Sequence, residues 1–284
     1  MKFTNKYNLP QPLYDALIYD DYEHGGDISV TGLIKPVRQY QLEKRHADEI
    51  VVDASDMLWS LLGKIGHRIL ENVSVPTGFK EERLYLNING WKVAAKPDLW
   101  IEPHNLEDYK YTTVWSWIYG LKPEWEQQLN MYTPFYTIEA GFPVEALKIN
   151  AIFRDHMKSK QKIDPKYPAP VMVMDVPLWT PEKQWMALDE RVSLHQIYET
   201  KPDNDLLQCS PEERWEQPTK WAVMKRKRKK ALRVFDNEMD AISYDAMNPD
   251  NYVVKRPGTS RRCEDYCFAR PFCNQWKEIQ EKEV

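Results

Sequence analysis

Residues 82–112 constrain the fold more tightly than any other part of the chain. ERLYLNI and WKVAAKPDLWI stand on either side of Asn89-Gly90, the dipeptide best suited to the two left-handed positions of a type I′ turn. The spacing predicts an antiparallel hairpin over Glu82–Ile101 and, after a short loop, a third strand over Leu106–Thr112. Period-two alternation then places Asp108 and Lys110 on one face of the third strand and Glu107 and Tyr109 on the other. With Asp98 at the end of the neighbouring strand, two carboxylates and an ammonium are predicted to converge at a sheet edge.

Helical periodicity surrounds this sheet. Over Asp53–Asn72, with Asp53 or Ser55 as N-cap, Met57, Leu58, Leu61, Leu62, Ile65 and Ile69 make a stripe expected to be buried. Gly63, Gly66, His67 and Leu70 fall nearly opposite, with Glu71 beside them. A glycine inside a helix costs roughly 1 kcal/mol against alanine. Two on the same side as a histidine mean either that something approaches that side closely or that a helix packs against its small residues. A second helix is predicted from Pro123, a favoured first-turn residue, to Gly141, with Pro134 kinking or splitting it. Gln128 and Tyr132 lie one turn apart on that helix and face the same way.

ALKINAIFRD and APVMVMDVPL supply two further strands, and a helix follows over about Pro181–Tyr198. Upstream, the chain is rich in turn and charge residues to about Gly26, and SVTGLIKPVRQYQLEKRH then reads as one short amphipathic helix. The order α–β–β–β–α–β–β–α describes a mixed α/β core, assigned to residues 1–202. Residues 203–284 read as a small appendage. In it WAVMKRKRKKALRVF forms two strands round a basic turn, NEMDAISYDAM a short helix and YVVKRPG a strand before a cysteine-rich tail.

Composition excludes several classes. With 42% hydrophobic and 29% charged residues the chain is globular rather than disordered. No apolar run approaches the roughly 18–20 residues of a membrane helix, so no membrane partner is expected, and the N-terminal residues suggest a cytoplasmic protein. A net charge of −4 argues against a uniformly basic nucleic-acid coat but leaves room for a local basic groove. Lys225, Arg226, Lys227, Arg228, Lys229 and Lys230, flanked by Lys220 and Arg233, are either a solvated turn or a hairpin that grips phosphates without reading sequence. The cysteines are Cys209, Cys263, Cys267 and Cys273. In a reducing compartment such a cluster reads as a metal site before it reads as disulfides, with four buried thiols as the alternative.

Asp98, Asp108 and Lys110 suit a hard cation, Mg²⁺ or Mn²⁺, that activates water against a phosphodiester, the lysine orienting or deprotonating that water. An isolated Asp-x-Lys is otherwise an ordinary surface ion pair. Four segments extend the pattern: GKIGHRILE at 63–71, AAKPDLW, EDYKYT, and Gln128-Leu129-Asn130-Met131-Tyr132. In this order they resemble the motifs of the PD-(D/E)xK nuclease superfamily, specifically its RecB-like exonuclease branch. The resemblance implies an α/β fold with a restriction-endonuclease-like core, a mixed central sheet flanked by helices, and a cysteine-anchored C-terminal appendage. It implies His67, Asp98, Asp108 and the Tyr109 carbonyl as metal ligands, and Asp98, Asp108, Lys110, Gln128 and Tyr132 as catalytic residues.

The cysteines resemble the iron–sulfur staple of AddB-type and CRISPR-adaptation nucleases, although Cys209 follows the nuclease motifs where the lone cysteine of those chains precedes them. The resemblance implies a structural [4Fe–4S] cluster, or Zn²⁺ in its place, closing the 53 residues between Cys209 and Cys263. The whole layout is similar to phage-type exonucleases, which implies the cytoplasm of a bacterial host. The function expected is a metal-dependent DNA exonuclease that resects duplex ends for recombination or repair, with DNA and a single-strand annealing or recombination protein as partners. Flap or single-strand endonuclease activity, or a non-catalytic DNA-binding adaptor of the same fold, are the alternatives.

Overall fold

At Asn89-Gly90 the backbone takes φ values of 50° and 81°, and Ile88 pairs with Trp91 across the turn. The hairpin predicted from that dipeptide is therefore present in the computed structural model, which describes residues 1–20, 25–75, 77–80, 82–246 and 248–283. The chain divides into two units, residues 1–35 with 51–200, and residues 36–50 with 201–284.

In chain order the elements begin with β1 (Lys2–Thr4), α1 (Gln11–Ile18), β2 (Ile28–Ser29), α2 (Val30–Ile34) and α3 (Val37–Arg45). They continue with β3 (Val51–Asp53), α4 (Leu58–Glu71), β4 (Gly78–Lys80), β5 (Leu84–Ile88), β6 (Trp91–Ala95), β7 (Leu99–Ile101) and β8 (Asn105–Thr112). Then follow α5 (Trp115–Ile118), α6 (Pro123–Pro134), β9 (Ala146–Phe153), α7 (Lys158–Ile163), β10 (Val171–Val176) and α8 (Pro181–Glu199). The first unit is a mixed α/β fold. Its central sheet has the order β10-β9-β8-β7-β4, with β8 and β9 parallel and the other neighbours antiparallel. Helices α4 and α6 both pack on β8.

The hairpin does not lie beside the strand of Asp108, as the sequence suggested. Strands β5 and β6 join β2 in a separate three-stranded sheet, and β6 ends at Ala95. Lys96, Pro97 and Asp98 carry the chain across to β7, whose partner is β8. Pro97 has no amide hydrogen for a ladder, so the strand breaks there. Pro36 acts in the same way upstream. The residue before a proline is driven into extended backbone, Lys35 has φ −59° and ψ 147°, and the single predicted helix becomes α2 and α3. At Pro134 the α-helix gives way to a π-helical turn over Phe135–Ala140, which ends at Gly141 in the left-handed region.

Helix α4 turns the opposite way from the expectation. Leu58, Leu62, Ile65 and Ile69 are exposed, and Gly66 is the buried residue of the helix. A Cβ on Gly66 would stand 2.0 Å from the Cζ and Oη of Tyr111, whereas one on Gly63 would meet nothing within 4 Å. The helix thus docks on β8 by its small-residue side. Gly63→Ala should stabilise the protein by about 0.5–1 kcal/mol through helix propensity and a less mobile unfolded chain. Gly66→Ala should lower stability, because overpacking costs about 1–3 kcal/mol. Thermal unfolding of the two variants, one above and one below the parent, checks this orientation.

The second unit contains α3, β11 (Glu216–Gln217), β12 (Lys220–Lys225), β13 (Arg233–Phe235), α9 (Glu238–Asp245), β14 (Asn251–Arg256), β15 (Thr259–Ser260) and α10 (Asn274–Glu283). Strand β12 is antiparallel to both β13 and β14, and the basic turn joins β12 to β13. The predicted helix NEMDAISYDAM corresponds to α9, and its last residue, Met247, lies outside the described residues. Buried Arg38 ties α3 into this unit through the carbonyls of Leu206 and Leu207 and the side chain of Asn274. Among the described residues no helix is long and apolar enough to cross a membrane.

Candidate functional site

Strand alternation brings Asp108 and Lys110 to one side of β8, and α6 supplies Gln128 and Tyr132 one turn apart. Lys110 Nζ lies 2.7 Å from Asp108 Oδ2 and donates to Gln128 Oε1 at 2.9 Å. The Gln128 amide in turn donates to Asp108 Oδ1 at 3.3 Å and to Tyr132 Oη at 3.0 Å. Carboxylate, ammonium and amide therefore form a closed ring around Asp108, which is only 2% exposed. Lys110 and Asp108 Oδ2 form an ion pair without hydrogen-bond alignment.

Asp98 precedes β7 and accepts the Tyr109 backbone N–H at 2.7 Å through Oδ2, while Oδ1 stands 3.4 Å from His67 Nδ1. Burial raises its pKa, and the charge of Asp108 raises it further. His67, the Tyr109 amide and Lys110 oppose these effects, and the carboxyl settles at about 7, far above its ordinary 3.8.

Glu107 and Tyr109 behave as alternation requires. Glu107 accepts from Asn150 Nδ2 on β9 at 2.7 Å, and Tyr109 contributes its amide to Asp98. Glu71 makes a surface ion pair with Arg68 at 2.9 Å.

Asn130 lies inside the glutamine–tyrosine segment, where the sequence pattern alone does not single it out. Its side chain is fully buried, donates to the carbonyls of Glu126 and Pro177, and accepts the Trp179 amide at 2.7 Å. It fixes α6, and with it Gln128, against the chain that leads into α8. A small amide flanked by apolar residues is its one signal in the sequence. Buried His195, on α8, has no such signal. Burial and the charge of Arg191 lower its pKa to about 4, so it is a neutral core residue bonded to the Leu33 carbonyl.

The expected metal centres require correction. Among the described residues no group of three or more His, Cys, Asp or Glu side chains is placed to hold a metal ion. For the Mg²⁺ or Mn²⁺ expected at His67, Asp98, Asp108 and the Tyr109 carbonyl, the physical reason is prior commitment. Asp108 serves Lys110 and Gln128, and Asp98 serves the Tyr109 amide and faces His67. A hard cation would need Asp108 Oδ2, against which the Lys110 ammonium already stands at 2.7 Å.

The [4Fe–4S] or Zn²⁺ assignment at the cysteines falls to the same finding. Cys209, Cys263, Cys267 and Cys273 are free thiols lining one cavity of the second unit, which arginines Arg38, Arg214, Arg262 and Arg270 share. Burial pushes Cys209 and Cys267 up to about 12 and raises Cys263, which holds them as neutral thiols. Gln275 links Cys209 to α10 through both of its backbone polar groups.

Within the basic turn, Arg226, Lys227, Arg228, Lys229 and Lys230 are exposed and Lys225 is half-buried at the end of β12. The Arg226 amide donates to the Asp250 carbonyl, and Lys227 takes a left-handed φ of 66°, which together fix the bend. Of the flanking cations, Lys220 pairs with Asp236, and Arg233 lies over the ring of Phe235 at 5.0 Å.

No family model matches the chain. No curated protein matches it in sequence either. Among solved structures, the protein titled "Crystal structure of SSO0001" is similar to it at 16% identity, over 64% of this chain and 81% of that one, with a TM-score of 0.40.

Proposed function

We propose that the chain is a DNA-binding protein built on a PD-(D/E)xK-type, RecB-like core, acting as a non-catalytic adaptor. The observation that carries this reading is the ring of Asp108, Lys110 and Gln128. The lysine that would serve hydrolysis is paired with the carboxylate at 2.7 Å and donates to Gln128, which in turn donates to the carboxylate's other oxygen. The exposed basic turn supports DNA binding, since five successive cations in an otherwise acidic chain suit a phosphate backbone and carry no means of reading bases.

The test is binding of a fluorescent linear duplex followed by anisotropy across a salt series. Wild-type protein should bind equally well with and without EDTA. Changing Lys227, Arg228, Lys229 and Lys230 together to Ala should weaken binding and flatten the log–log salt slope, by up to about 0.9 for each phosphate left without its cation. An unaltered slope would reduce the turn to a solvated surface.

One observation favours a second reading, phosphodiester hydrolysis at DNA ends or flaps. Asp98, Asp108, Lys110, Gln128 and Tyr132 do converge, and Asp98 carries a carboxyl poised near neutrality. On that reading the same protein would shorten an end-labelled duplex, whereas the adaptor leaves it intact.

A further inference from the structure

Strands β8 and β9 run parallel and end side by side, with Thr112 opposite Phe153. The segments leaving them collect an unusual set of side chains. Trp115 and Tyr119, on and just after α5, stack with ring centroids 5.4 Å apart and planes 19° apart, yet they are 50% and 81% exposed. Arg154 follows β9, donates its amide to the Thr112 carbonyl, and holds its guanidinium 3.7 Å above the ring of Trp59, itself 52% exposed. Lys122, just before α6, sits over Trp125 with Nζ 4.8 Å from the ring centroid.

Exposed aromatic faces interleaved with cations are unusual on a surface that meets only water. Lys122 feels two further cations. Partial burial lowers the Lys122 pKa, the charges of Arg154 and Lys110 lower it further, and Glu124 is the carboxylate that opposes them. An anion placed among them would relieve that repulsion. The carboxyl ends of parallel strands are also where open α/β sheets receive their ligands.

We propose that this end of the β8–β9 pair is a platform for a single-stranded polynucleotide, its bases stacking on Trp59 and on the Trp115–Tyr119 pair and its phosphates meeting Arg154 and Lys122. A duplex cannot use these faces, because its bases are already stacked on one another. Stacking on aromatic side chains is tolerant of sequence and therefore suits a strand of any composition. The inference rests on the proposed DNA binding and adds to it a strand preference and a second set of contact residues, none of them in the basic turn.

The experiment compares a fluorescein-labelled oligothymidylate with a blunt duplex at one fixed salt concentration. Tyr119→Ala and Trp115→Ala, both at exposed positions, should each weaken oligothymidylate binding about 5- to 100-fold, as expected for the loss of one stacked base. Duplex binding should change less than about twofold, and Tyr119→Phe should bind the oligothymidylate as the parent does. The basic-turn variant should show the reverse, losing duplex more than oligothymidylate. If Tyr119→Ala and Trp115→Ala bind oligothymidylate like the parent while DNA binding persists, the platform is overturned and the patch is left to an apolar protein partner. If the parent binds neither DNA, the proposed function falls together with it.

Discussion

Lys110→Met should lower the free energy of unfolding by about 3–5 kcal/mol, the cost of stranding one partner of a buried ion pair. The side chain of Asp108 is 3% exposed and that of Lys110 22%, so the carboxylate left behind is largely cut off from water. Only the Gln128 amide would remain on the carboxylate, at the longer distance of 3.3 Å. The double variant Asp108→Asn with Lys110→Met should recover most of the loss, since no buried charge is left behind. Urea unfolding at neutral pH reads both effects in the midpoint, with the slope unchanged. A Lys110→Met protein with the parent's midpoint would mean that the ring around Asp108 does not hold the fold.

Asp98→Asn should act in the opposite direction and stabilise the protein above neutral pH. The folded carboxyl titrates at about 7, against 3.8 ordinarily. Between those values the unfolded chain has released its proton and the folded chain has kept it, so stability declines as pH rises through that window. At about 1.4 kcal/mol for each unit, the cost above neutrality reaches a few kcal/mol. Asparagine carries no such charge and can still accept the Tyr109 amide. Unfolding midpoints of parent and variant should nearly coincide at about pH 4 and separate at about pH 8, the variant being the more stable. A gap independent of pH would contradict the buried, proton-holding carboxyl.

These two carboxylates show how far sequence reaches. The Asn89-Gly90 turn, the shared face of Asp108 and Lys110 and the shared face of Gln128 and Tyr132 were legible because each depends on neighbours within a few residues. The change of sheet at Pro97 was not, because it depends on which distant strand receives β7. In α4 the periodicity was correct and its consequence was not. Amphipathicity divides a helix into two sides, but which side docks depends on what faces it, and Tyr111 requires the close approach that Gly66 allows. The cysteines show the same limit. All four thiols line one cavity, yet spacing along the chain does not determine the arrangement of their side chains, and a metal-holding geometry is absent among the described residues.

The most direct test of the central claim, DNA binding without cleavage, is incubation of a linear duplex carrying a label at one end with excess protein. Mg²⁺ or Mn²⁺ is supplied in one arm and EDTA in the other, and both are read for bound complex and for product length. A non-catalytic adaptor gives a retarded complex in both arms and a strand of unchanged length in each. Shortened strands that appear with the divalent cation, vanish with EDTA and are lost in Asp108→Ala would contradict that claim and make the chain a nuclease.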